Sequence, residues 1–146
     1  MIAVDTNVLV SAHRADSPFH AAASRSLKSL AEGRESWALP WPVLHEFLAI
    51  VTHPRIYNPP TPLAAALGQA EAWMESPSLV ILGESAGHWG ALATLLREGR
   101  VIGPMVHDAR IAAICLQHGV RELWSADRDF GRFPALRVVN PLVGAA

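Results

Sequence analysis

The chain has 146 residues, close to the usual size of one domain, and a chain of that length buries roughly two-thirds of its unfolded surface. Hydrophobic residues make up 51% and charged residues 17%, and no apolar stretch approaches the ~18 residues that span a bilayer. A single domain over residues 1–146 is expected, with no membrane partner. The net charge of −1 excludes a broadly basic surface that coats nucleic acid by charge alone, but the partition of the charge matters more. Setting aside Asp5, Glu46, Asp108, Asp127 and Asp129 leaves eight acids against twelve bases, a mildly basic remainder compatible with a phosphodiester substrate.

In chain order, short apolar strands alternate with amphipathic helices, and no linker, repeat or low-complexity tract interrupts them. Residues 2–5 read as a first strand. Ser17-Pro18 opens a helix running to Gly33, with proline in the first turn and glycine past the end. Ser36 to Leu39 is a short second strand. Pro42 begins a helix whose apolar side carries Val43, Leu44, Phe47, Leu48, Ile50 and Val51, and His53-Pro54 stops it. Thr61-Pro62 starts another helix to about Glu75, and Leu79 to Leu82 is the third strand. His88 to Glu98 is helical. After the connector Gly103-Pro104, His107 or Asp108 caps a helix to His118-Gly119. Leu123 to Ser125 and Arg137 to Val139 read as the last two strands. Strands separated by helices imply crossover connections and a mostly parallel sheet, so the fold class is α/β with helices on both faces.

In such sheets the site lies beyond the carboxyl ends of the strands, and four of the five aspartates fall where that rule brings them together. Asp5 ends the apolar run Ile2-Ala3-Val4; Asp127 and Asp129 follow Leu123-Trp124-Ser125; Asp108 stands at the start of a helix. Glu46 lies one turn from Val43 and Ile50 and is expected to face inward along its helix. A carboxylate beside an apolar core must be offset by hydrogen bonds, a cation or a metal. Lys28 is the sole lysine, which makes a metal the leading partner.

Asp5-Thr6-Asn7-Val8-Leu9, then Glu46 in a helix, then His107-Asp108-Ala109-Arg110, then Ser125-Ala126-Asp127-Arg128-Asp129-Phe130 form an ordered series that resembles the motifs of PIN-domain nucleases, specifically the VapC toxins. Each motif alone is weak; four in order at these spacings are specific. The resemblance implies a three-layer α/β/α fold around five parallel strands in the order 3-2-1-4-5. It also implies a cytoplasmic, metal-dependent endoribonuclease that leaves 5′-phosphate and 3′-hydroxyl ends in a structured RNA and inhibits translation. Such toxins are homodimers neutralised by a VapB-type antitoxin. In the family, the residues matching Asp5, Glu46, Asp108 and Asp127 are catalytic and hold Mg²⁺ or Mn²⁺; this chain keeps all four and departs chiefly in having Ser125 where threonine is usual.

The chemistry needs carboxylates because Mg²⁺ is a hard ion that prefers oxygen ligands and keeps several waters, leaving positions for substrate. Asp5 and Asp108 are assigned as primary ligands, with Glu46 and Asp127 completing the set and Asp129 behind them. Asn7 is placed to donate to a carboxylate or a substrate phosphate, and Thr6 and Ser125 to orient Asp5 and Asp127 through their hydroxyls.

Bland readings stand beside these. Asp108 also fits a helix N-cap, and Asp127 and Asp129 fit turn positions; Asp5 and Glu46 fit structural roles less well. The seven histidines show no zinc-type spacing, and Cys115, inside Ile111–Leu116, reads as a small core residue in a reducing cytosol. The five tryptophans are scattered and read mostly as core or interface, while Leu63, Leu67 and Trp73 suggest an apolar surface for a protein contact. Met1 to Asp5 carries neither basic flank nor apolar leader core, so no secretory signal is expected. Two other functions compete: a catalytically silent PIN-like module that binds RNA or protein, and a phosphatase using Asp5 as nucleophile. The second lacks an acid at Asn7, two residues on.

Overall fold

The computed structural model describes residues 1–143; residues 144–146 of the expected domain lie outside the described residues. Its centre is a three-residue strand, β1 (Ile2–Val4), flanked in parallel by β2 (Trp37–Pro40) and β4 (Glu122–Trp124). Outside them lie β3 (Leu79–Leu82) and β5 (Arg137–Val139), giving the order β3-β2-β1-β4-β5. Ile2 pairs with Trp37 on one side and Glu122 on the other, and Trp124 pairs with Val139. This is the five-stranded parallel sheet expected from the sequence.

Among the described residues six α-helices cover the sheet: α1 (Thr6–His13), α2 (His20–Ala31), α3 (Trp41–Val51), α4 (Leu63–Met74), α5 (His88–Glu98) and α6 (Val106–Gln117). In one group α1 packs on α2 and α3, and α3 on α4; in the other α5 packs on α6. The result is three layers. Both faces of the central strands are therefore dry: Ala3, Val4, Trp37, Ala38, Leu39 and Leu123 are fully buried. On one side Phe47 sits between the edges of His13 and Trp73, at centroid distances of 5.4 and 4.8 Å. Burying one such ring contributes roughly 1.5–3 kcal/mol. On the other side Phe130 and Phe133 meet edge to face near β5. Among the described residues, no helix is long and apolar enough to cross a membrane.

Four expectations are corrected. Helix α1 occupies Thr6–His13, a stretch for which no helix is expected: Asp5 is its N-cap, its side chain accepting from the Thr6 amide. Helix α6 begins at Val106 after a 3₁₀ turn at Gly103–Met105, so neither His107 nor Asp108 caps it; Asp108 lies within the first turn. Glu46 does not face inward. It is exposed, on the side of α3 that borders an open cleft. Trp73 is buried too, and only Leu63 and Leu67 of that apolar trio are exposed.

Candidate active site

Asp5 occupies the first position past β1, and its amide extends the ladder by donating to Trp124 O at 2.9 Å. The backbone then turns into α1, which leaves the side chain at the carboxyl edge of the sheet, 5% exposed. Three groups of the chain fix it. Oδ1 accepts from the Thr6 amide at 2.8 Å; Oδ2 accepts from Ser125 Oγ at 2.7 Å and from Asn7 Nδ2 at 3.1 Å. Ser125, just past β4, is anchored because its amide donates to Val139 O.

Ser125 and Asn7 form the joint of the site. Ser125 Oγ, while donating to Asp5, accepts from the Asp127 amide at 3.0 Å and from Asn7 Nδ2 at 3.1 Å. Asn7 Oδ1 in turn accepts from the Ala126 amide at 3.0 Å. One hydroxyl and one carboxamide thus lock the ends of β1 and β4 into one register. Thr6 contributes differently from expectation: its amide steadies Asp5, while Oγ1 is within reach of Glu46 Oε2 at 3.3 Å and Val43 O at 3.4 Å. It links α1 to α3.

Asp127 N-caps the 3₁₀ turn Arg128–Arg132, with Oδ1 accepting from the Asp129 amide at 2.9 Å. That turn carries Asp129 forward. Carboxylate oxygens of Asp108, Asp127 and Asp129 lie within 4.8 Å of one another, so Asp129, expected behind the ligands, stands beside them. Glu46 faces Asp108 across a cleft of about 520 Å³ lined also by Pro42, His45, His107 and Arg110. His45 was not singled out from sequence; its i+4 spacing from the exposed Trp41 was the available signal.

The electrostatics bind these acids into one group. Burial raises the Asp5 carboxyl to about 6, with Glu46 and Asp127 adding to the rise and the Ser125 and Thr6 hydrogen bonds opposing it. Asp108 is likewise raised to about 6, first by burial and then by Asp127, Asp5, Asp129 and Glu46. No cation of the chain relieves this: among the described residues the ion pairs are Arg14–Asp16, Arg110–Glu84 and Arg137–Glu122. Arg110, near the motifs, is engaged by Glu84, and Arg14 lies over Tyr57, 4.1 Å from the ring centroid. Five carboxylates with hard oxygen donors and no protein cation fit a divalent ion such as Mg²⁺.

The PIN domain family model matches residues 2–136. This chain belongs to the PIN-domain family. Within the PIN family its relatives include VapC ribonuclease Mb2897 of Mycobacterium bovis, 38% identical over 144 residues, covering 99% of this chain and 97% of that protein. Ribonuclease VapC48 of Mycobacterium tuberculosis is 32% identical over 140 residues, covering 96% and 97%. Among solved PIN structures, VapBC2 from Rickettsia felis bound to a promoter DNA fragment superposes with a TM-score of 0.70 at 21% identity, covering 96% of this chain and 98% of that one. VapC20 of Mycobacterium tuberculosis, a sarcin-ricin loop cleaving toxin, does so at 0.66 and 20% identity, covering 90% and 93%. The last two likenesses establish the shared fold, and the first two place the chain among VapC proteins.

Proposed function

We propose that this PIN domain is a metal-dependent endoribonuclease, the toxin of a VapBC-type pair in the cytoplasm, held inactive by a VapB-type antitoxin. The observation that carries the proposal is the cluster of Asp108, Asp127 and Asp129, with Asp5 tied to Asp127 through Ser125 and Glu46 on the same cleft as Asp108, none of them in an ion pair among the described residues. Relatives named ribonucleases over nearly their whole length support the same reading.

Asp5, Asp108, Asp127 and Glu46 would hold Mg²⁺, or Mn²⁺ in its place, with Asp129 close enough to share the ion through Asp108 and Asp127. A bound divalent ion supplies charge to offset that building on the phosphate and lowers the pKa of attacking water. The chain's own part is orientation. Ser125 and Asn7 hold Asp5 in one rotamer, and the Ser125 hydroxyl sets the backbone from which Asp127 projects. No side chain need act as nucleophile, so water attacks the phosphorus and the leaving group is the ribose 3′ oxygen; the ends are a 5′-phosphate and a 3′-hydroxyl. The substrate class is a structured RNA such as a transfer or ribosomal RNA loop, whose loss stops translation.

A silent binding module has no physical use for five carboxylates that repel one another and repel phosphate. The deciding experiment is digestion of total bacterial RNA with Mg²⁺, Mn²⁺ or EDTA by the wild type and Asp5→Asn, with the new ends mapped. Discrete metal-dependent cuts bearing 5′-phosphates, lost in the variant, are expected; folded antitoxin-free protein that cuts nothing with either metal overturns the proposal. Size-exclusion chromatography with light scattering tests the homodimer, and equimolar cognate antitoxin should abolish cutting.

A further inference from the structure

Helix α3 starts at Trp41, at the carboxyl end of β2 and thus at the same edge of the sheet as the acids. Indoles are large apolar groups that proteins usually bury. Trp41 is 43% exposed, whereas Trp37, four residues earlier, is fully buried. Its ring is stacked on His45 at a centroid distance of 6.2 Å and an interplanar angle of 24°. This is the i+4 neighbour on the helix, so both rings project from one face. Just past the end of β3, Gly83 leaves room beside the indole that a side chain would fill: a Cβ there would stand 3.4 Å from Trp41 Cδ1. The ring is backed by His45 and stays 43% exposed.

The position of the pair gives the open ring a use. His45 and Pro42 line the cleft that also holds Glu46 and Asp108, with His107 and Arg110 on its far wall. Trp41 does not line the cleft itself but is stacked on the residue that does. Through His45 the aromatic pair thus borders the cleft that Glu46 and Asp108 line. Unpaired RNA bases are held by stacking on aromatic planes, a mode that tolerates any base because each has a π face. Trp89 is more exposed still, at 74%, but has no stacked aromatic partner among the described residues and lies on α5, away from the cleft lining.

We propose that Trp41, braced by His45, is a base-stacking shelf that positions an unpaired nucleotide of the RNA beside the scissile phosphate. The inference rests on the nuclease reading above. It makes Trp41 a residue that selects single-stranded or loop RNA, since a base inside a duplex has no free face to offer.

The test uses a stem-loop RNA carrying 2-aminopurine at successive loop positions. Binding is followed by fluorescence quenching with Ca²⁺, and cleavage of the same RNA with Mg²⁺. Trp41→Ala should lose the quench at one loop position and raise both Kd and KM about tenfold, with kcat nearly kept. Trp41→Phe should restore most of both, and Trp89→Ala should alter neither. Trp41→Ala that quenches, binds and cuts like wild type overturns the shelf while leaving the nuclease standing. Trp41-dependent quenching without any cutting by wild type keeps the shelf and removes the nuclease. RNA neither bound nor cut removes both. Unchanged RNA binding by Trp41→Ala together with a lost antitoxin complex makes the shelf a protein contact and overturns the proposal. Thermal melts of the three variants, matched to wild type, exclude a folding defect, and Trp41→Phe decides the case if the alanine variant is unstable.

Discussion

Ser125 Oγ and Asp5 Oδ2 meet at 2.7 Å across neighbouring strands, 120 residues apart in sequence. The same hydroxyl accepts from the Asp127 amide, so one atom fixes two acids that arrive from different parts of the chain. A serine has the one proton and two lone pairs this requires. With the proton committed to Asp5, both lone pairs face Asn7 and Asp127.

Ser125→Ala should therefore lower kcat on the mapped RNA by about 10- to 100-fold, the usual effect of removing a group that orients metal ligands. Ser125→Thr should keep most activity because the hydroxyl is retained. KM should change little, since Ser125 does not line the cleft beside Glu46 and Asp108. An alanine variant with wild-type kcat would remove Ser125 from the positioning scheme.

Asp129→Asn should weaken metal binding, because its carboxylate stands with those of Asp108 and Asp127. Isothermal titration with Mn²⁺ should show a loss of about tenfold, within the range for perturbed metal sites. Saturating Mg²⁺ at about 100 times Kd should stabilise wild type by about 2.7 kcal/mol, visible as a rise in Tm. Asp108→Asn should lose most of that rise. Equal and unmoved melting temperatures for both proteins would refute the metal site.

The pH dependence of the metal-free protein follows from Asp5 and Asp108, both raised from 3.8 to about 6. Each binds its proton more tightly when folded, so protonation favours the folded state. The penalty is absent below about pH 4, where both states are protonated, grows from there to about pH 6, and is complete above it. For the buried Asp5 it is no more than about 3 kcal/mol. In EDTA, wild type should lose stability between about pH 4 and pH 6 relative to Asp5→Asn/Asp108→Asn, followed by calorimetry. Parallel curves would contradict the shifts.

Phe47→Ala should cost about 3–5 kcal/mol in urea unfolding, because the ring is fully buried between His13 and Trp73. Glu46 precedes it on α3, so a surviving folded fraction should also cut RNA less well. A loss below 1 kcal/mol would mean that the site collapses around the gap.

The strands and the acids were legible because they rest on patterns short in sequence, apolar runs of three or four residues and the acids that follow Val4 and Trp124, whereas the strand order was implied by the resemblance to PIN-domain nucleases. Helix α1 was not. Val8, Leu9 and Val10 include β-branched residues of low helix propensity, and what makes them helical is tertiary: Asp5 caps the first turn and Val8 to Ser11 are buried against α2 and α3. The orientation of Glu46 was misread for a related reason. Its neighbours Val43 and Phe47 are core residues, but a helix at a sheet edge also borders a cleft, and periodicity does not tell cleft from core. The place of Asp129 depends on the 3₁₀ turn that Asp127 caps, a local bend with no period to read.

The joint between β1 and β4 also sets a timetable. Asp5 precedes its partner hydroxyl on Ser125 by 120 residues, and Asp127 follows that serine. Until β4 has emerged and docked beside β1, Asp5 has neither Ser125 nor Asp127 near it, and a nascent chain carries no assembled site. The acid cluster is thus assembled only with the sheet itself, and no partial fold that lacks β4 holds Asp5 and Asp127 together.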